Sequence, residues 1–255
     1  DVNCLPLASF LGEVKTYFEM HDLAAAKRIS YKVCEVDFNW KALHDNFCES
    51  YHLPTAHPQI SDYFDDDYKN TEFELYETGH NLMKMKGAFP SLRNVSPFEL
   101  SQRLRATMQE WDLDLEAFEG RAHAVRLALQ EQKRKLGPSR GFDYFERMPD
   151  TWLTDVFHFN LFPATSLTIS STNFGLQRCE PHPNDPNKSI YESWDMVLNP
   201  QNAKMVNGPE GLVPWREAEK EIVTFGEESL GEVVDQDLER ATGQQLGFQS
   251  SGFRG

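Results

Sequence analysis

The sequence predicts an α+β fold: one antiparallel sheet, made from an early strand plus a late meander, with helices packed on it. Two observations carry this. Four short runs rich in Phe, Leu, Ile, Thr and Tyr follow one another at 155–162, 166–171, 173–182 and 189–198. Turn sequences such as Phe162-Pro163-Ala164-Thr165 and Pro183-Asn184-Asp185-Pro186-Asn187 separate them, which is the pattern of a meander. A separate run, Arg28 to Phe38, is rich in β-branched and aromatic residues and alternates loosely, as a strand of the same sheet would.

The elements are justified in chain order. Residues 5–28 read as a short helical lead-in to the 28–38 strand. A helix starts near Asn39, a residue type suited to the N-cap. On a wheel advancing about 100° per residue, Trp40, Leu43, Phe47 and Tyr51 form the face that grips the sheet, while Asp45, Glu49 and His52 fall on the other side. Leu53-Pro54 interrupts, because the residue before a proline avoids the α region. Residues 58–71 are a loop, and Asp65, Asp66 and Asp67 within it lack the calcium-loop spacing and read as solvated acids. Residues 72–86 form strand-turn-strand, or one bulged strand, around Gly79, with His80 a partly buried strand residue. Ser96-Pro97-Phe98-Glu99 is a capping box opening a helical insertion at about 96–137, with a break near Asp112 and a stop at Gly137-Pro138. Residues 199–222 read as loop with a short helical piece around Trp215, and 227–246 as the last helix.

With 255 residues, 40% of them hydrophobic, the chain can build one sizeable core, and it reads as a single domain over 1–255. A net charge of −15 argues against nucleic-acid binding. No apolar run approaches the roughly 18 residues of a membrane span. The four cysteines are scattered, which suits a reducing cytoplasm rather than a disulfide framework. The start at Asp1 without Met and the Gly-rich tail suggest a piece of something longer.

Two features carry chemistry. Glu49, His52 and His57 lie within nine residues. Alone, this segment reads as a solvated polar face rather than a metal site, since HxxxxH is neither a zinc-protease nor a zinc-finger pattern. The last helix adds a second feature. Leu230, Val233, Val234, Leu238 and Ala241 make an apolar stripe, and Asp237 sits in the middle of it, while Glu232, Asp235 and Glu239 lie opposite. A buried carboxylate must be paired, hydrogen-bonded or metal-bound. Pairing with an Arg, capping of a backbone group, and membership of a 2-His-1-carboxylate Fe(II) triad all satisfy that requirement.

Asn39-Trp40-Lys41, Asp45-Asn46-Phe47-x-Glu49-x-Tyr51-His52 and His57 resemble the opening of the catalytic domain of Rieske-type aromatic-ring-hydroxylating oxygenase α subunits. Gln236-Asp237-Leu238 with Gln245-x-Gly247-Phe248-x-Ser250 resembles the family's closing helix, and Phe159-Asn160-Leu161-Phe162-Pro163 its central strand. The resemblance covers nearly the whole chain. It implies a sheet curved around a long C-terminal helix, the helix-grip shape, and a mononuclear Fe(II) held by His52, His57 and Asp237. It implies that Glu49 is the carboxylate bridging to a Rieske [2Fe–2S] domain of a neighbouring subunit in a homotrimer, and that Asn46 lies close to the iron. His158, Phe47 and Leu53 would line the substrate pocket.

The activity it implies is mono-oxygenation or cis-dihydroxylation of an aromatic or other hydrophobic small molecule with O₂, in a largely apolar pocket. NAD(P)H would supply electrons through a reductase or ferredoxin. The cluster itself would lie on a missing or separate domain: no Cys-x-His is present, and Cys179-Glu-Pro-His182 has the second Rieske spacing only by chance. Two other readings stand beside this one. A non-catalytic ligand-binding module of the same shape would hold a hydrophobic ligand without metal. A zinc hydrolase using the same triad would act without O₂.

Overall fold

The structure, a computed structural model, describes residues 4–93, 96–198, 205–208 and 211–254. It is built on an eight-stranded sheet in the order β10-β1-β7-β6-β5-β4-β3-β2. The strands are β1 (Lys27–Val36), β2 (Glu72–Leu75), β3 (Asn81–Met85), β4 (Val156–Leu161), β5 (Thr165–Ile169), β6 (Asn173–Pro181), β7 (Ser189–Val197) and β10 (Glu221–Ile222). The meander β4-β5-β6-β7 is antiparallel throughout, and β1 closes onto β7 across more than 150 residues of sequence. Only β10 runs parallel to its neighbour, β1. A separate hairpin, β8 (Met205–Gly208) with β9 (Gly211–Pro214), occupies the region expected to carry a helical piece around Trp215. That expectation is corrected: Glu221 and Ile222 find an open edge on β1, and the pairing outweighs the weak helical preference of so short a segment.

The sheet has two unlike faces, because alternate residues of a strand point to opposite sides. Phe157, Phe159, Leu167, Ile169 and Phe174 face a large apolar core with Leu104 and Met108 of α5 (Gln102–Glu110) and Val125 and Leu129 of α6 (Val125–Leu136). The lead-in helices α1 (Leu7–Leu11) and α2 (Val14–Met20) cover the same side through Val14, Tyr17 and Phe18. On the other face, α3 (Trp40–Phe47) packs over β5 and β6 and against the long C-terminal helix α7 (Glu232–Phe248). A smaller cluster there joins Cys34, Cys179 and Tyr191 to Leu43, Phe47, Leu238 and Ala241. Across this second face the registers place His158, Thr168, Gly175 and Asp195 on one row, and Ser166, Gln177 and Ser193 on the next.

Several local expectations are corrected. The helix over 96–137 does not open at the Ser96 box: Ser96 Oγ accepts from Phe98 N in a tight turn, and Ser101 caps α5 by accepting from Leu104 N at 3.1 Å. The later start puts Leu104 and Met108 in the core. The break at Asp112 is present, at φ 54°. Asp65 and Asp66 are buried rather than solvated, and Asp66 accepts from the hydroxyls of Ser61 and Ser91. His80 precedes β3 and is fully engaged. Its Nδ1 accepts from Phe162 N at 3.0 Å, and its Nε2 lies 2.9 Å from Phe10 O. Cys179 is buried on β6, with its thiol pushed up to about 12 by burial, and His182 instead lies 3.6 Å from Glu35.

Candidate metal centre

The first half of the site is built by a helix that stops early. Asn39 caps α3, its side chain accepting from Lys41 N at 3.0 Å. The helix ends at Phe47, so Glu49 and His52 lie in the following turn and not on one helical face as the wheel suggested. Tyr51 is 68% exposed and takes no part in gripping the sheet; Ala42, Leu43, Asn46 and Phe47 do that. A new short helix, α4 (Leu53–Ala56), begins at Leu53-Pro54. Pro54 therefore starts a helix, the position where its missing N–H costs nothing. The turn brings Glu49 back onto His52: its carboxylate accepts from His52 N at 3.2 Å and lies 2.7 Å from His52 Nδ1.

The second half comes from α7. Asp237 is 5% exposed, as its place in the apolar stripe implied. Its Oδ1 lies 2.9 Å from His57 Nε2 and 3.8 Å from His52 Nε2, and accepts from Asn46 Nδ2 at 3.0 Å. One ligand atom from each of His52, His57 and Asp237 falls within 4.8 Å of the other two, and this is the one such group of three among the described residues. Ligands about 2.1 Å from a common centre lie about 3 Å or more apart, so the spacing fits a metal ion.

The ring orientations fit as well. His57 Nδ1 lies 2.6 Å from Gln236 Oε1, and Gln59 Nε2 donates to that same oxygen at 2.8 Å. An amide oxygen can only accept, so His57 Nδ1 carries a proton, and Nε2 is the nitrogen that faces Asp237 and would ligate a metal. Glu49 does the same for His52. Burial works against a charge on His57, but the hydrogen bond and charge of Asp237 outweigh it and raise its pKa. Arg240 on α7 donates to Ala56 O at 3.0 Å and clamps the end of α4 beside the site.

The remaining sequence candidates sit around this centre. His158, on β4, is 7% exposed, with Nδ1 2.8 Å from Thr168 Oγ1 and its ring 5.5 Å from that of Phe47. Burial lowers its pKa to about 4, so the ring is neutral. Leu53 is buried at the start of α4. A narrow crevice, partly open to solvent, runs between Leu43, His44 and Phe47 of α3 and Ser166, Gln177, Cys179 and Tyr191 of the sheet. Its sheet wall is mixed, with Ser166 and Gln177 beside Cys179 and Tyr191. Gln236, Gln59, Tyr191 and Asp195 were not singled out in the sequence. Gln236 and Gln59 carry no signal of their own; the alternation Ser189, Tyr191, Ser193, Asp195 in a central strand was the signal for Tyr191 and Asp195.

The comparisons agree with this architecture. Part of naphthalene 1,2-dioxygenase with indole in its active site superposes with a TM-score of 0.57 at 15% identity, covering 98% of this chain and 50% of that one. Naphthalene 1,2-dioxygenase from Rhodococcus sp. gives 0.55 at 16%, covering 98% and 51%. The quaternary ammonium Rieske monooxygenase CntA gives 0.55 at 15%, covering 100% and 50%. The chain thus spans about half the length of these proteins, and the likeness at such identities shows the fold. No curated protein sequence matches. Among the described residues no helix is long and apolar enough to cross a membrane. The profile described as "Ring hydroxylating alpha subunit (catalytic domain)" matches residues 21–255, so the chain belongs to the family of ring-hydroxylating oxygenase α-subunit catalytic domains.

Proposed function

We propose that this chain is the catalytic part of a Rieske non-haem iron oxygenase, holding Fe(II) through His52, His57 and Asp237 and hydroxylating a small organic molecule with O₂. The observation that carries the reading is the convergence of two oriented imidazoles and one buried carboxylate within 4.8 Å, from segments 180 residues apart. Fe(II) in such a facial set keeps open positions at which O₂ can react. Glu49 and Gln236 hold the two ring protons on Nδ1, Asn46 fixes the Asp237 carboxylate, and α3 with α7 screens the centre from water. Glu49 is about 20% exposed, so its second function is contact with a Rieske domain of a neighbouring subunit in a trimer. Electrons would reach that domain from NAD(P)H through a separate reductase or ferredoxin.

Metal analysis tests the triad. The purified protein should hold close to one iron per chain, and His52→Ala, His57→Ala and Asp237→Ala should each fall to background while remaining folded by circular dichroism. Full iron occupancy in any of the three rejects the assignment. Product formation without O₂ and reductant would reject the oxygenase chemistry and favour a hydrolase.

A further inference from the structure

Part of the sheet face that meets α3 and α7 carries His158, Ser166, Thr168, Gln177, Ser193 and Asp195, where a site for a bare hydrocarbon would be apolar. At the same level the other side of these strands carries Phe157, Phe159, Leu167, Ile169 and Phe174. Space lies above the polar part. Thr168, Gly175, Gln177 and Asp195 are central in an eight-stranded sheet yet keep partial exposure. A Cβ added to Gly175 would find its nearest neighbour, Trp194 O, only at 3.9 Å.

Two polar atoms beside this space are buried without a hydrogen-bond partner: Nε2 of His158, 7% exposed, and the hydroxyl of Tyr191, 0% exposed. His158 packs its ring against Phe47 of α3, and Tyr191 lines the crevice beneath the same helix. Each unmet group costs about 1–3 kcal/mol unless something bonds to it, and native proteins rarely keep such atoms without a reason. Asp195 extends the row His158, Thr168, Gly175, and its carboxyl is pushed up to about 6 by burial against the pull of Ser30 and Lys32. Lys32 donates its own ammonium to Ser229 O at 2.5 Å, which leaves the carboxylate room for another donor.

We propose that the substrate is a polar small molecule bearing oxygen or nitrogen groups, seated over Gly175. In this arrangement His158 and Tyr191 hydrogen-bond it near the metal centre, and a hydroxyl or ammonium end faces Asp195. The proposal rests on reading the triad as the reaction centre, but its test does not depend on turnover.

Dissociation constants are measured by calorimetry, without O₂ or reductant, for three molecules of matched size: indane, 1-indanol and 1-aminoindane. The polar members should bind the protein at least tenfold more tightly than indane. Tyr191→Phe and His158→Phe should each reduce that preference several-fold, and Asp195→Asn should reduce it most for the ammonium. Because the Tyr191 hydroxyl has no partner, Tyr191→Phe should keep or raise the wild-type Tm, which separates lost recognition from lost folding. Indane binding as tightly as the polar members, a preference unchanged in all three variants, or no binding of any of the three at millimolar concentration would overturn the proposal. An enzyme that keeps the polar preference yet neither holds iron nor uses O₂ would instead reject the proposed oxygenase function.

Discussion

At the scale of single residues, the centre is set by what accepts the proton on the remote nitrogen of each imidazole. Glu49 accepts it from His52 and Gln236 from His57, one charged and one neutral. Partners of this kind typically hold about 10–100-fold in metal affinity. Gln236→Leu should weaken iron binding by that order in a chelator-competition titration, with the fold intact. Gln59→Ala should act in the same direction but less, since it removes only the donor that fixes the Gln236 amide. Asp195 gives a pH dependence. Its folded pKa is raised to about 6, so the native state holds the proton more tightly than the unfolded chain. Stability therefore falls as pH rises from about 4 to about 6, by up to roughly 3 kcal/mol for a shift of about two units. Asp195→Asn should flatten the urea-midpoint profile across that window and raise stability at neutral pH. Asp237 was legible in the sequence because a carboxylate inside an apolar stripe has few explanations. Gln236 was not, because an amide beside a buried acid looks like any polar helix residue until the partner ring is in view.

At the scale of elements, the site depends on a short break between α3 and α4 and on the register of α7. The position of α7 could be read from sequence, since Leu238 and Ala241 with Asp237 define its buried side. The break could not be placed. Helical periodicity continues through Tyr51 on paper, but the Glu49 carboxylate binds His52 N and ends the regular pattern. Likewise Ser96 and Ser101 are both good caps, and only the burial of Leu104 and Met108 chooses between them. Arg240 ties α7 to the carbonyl end of α4. Arg240→Ala should cost about 1–2 kcal/mol and speed amide hydrogen exchange at 53–57, with α5 and α6 unchanged. If α4 exchange stays at the wild-type rate, the clamp is not the contact that holds it.

At the scale of the molecule, one sheet separates two environments. The side under α5 and α6 supplies the dry core; the side under α3 and α7 carries the mixed wall and the centre. Phe159→Ala should cost about 3–5 kcal/mol, whereas a substitution that removes only an unpaired polar atom, such as Tyr191→Phe, should cost nothing measurable in the same urea titration. The meander and its partner strand were evident from alternation and turns. The parallel β10 was not, because its two residues are too short to carry any period.

The distance between the two halves of the centre in sequence has a temporal consequence. His57 and Asp237 are 180 residues apart, and the strands β1, β7 and the rest of the meander must register before α7 has a surface to lie on. During synthesis the two imidazoles emerge early, and the carboxylate arrives only with the last helix. Under the proposed function, capture of the ion would therefore record completed assembly. In a refolding time course, iron uptake should follow the recovery of sheet ellipticity and should coincide with protection of α7.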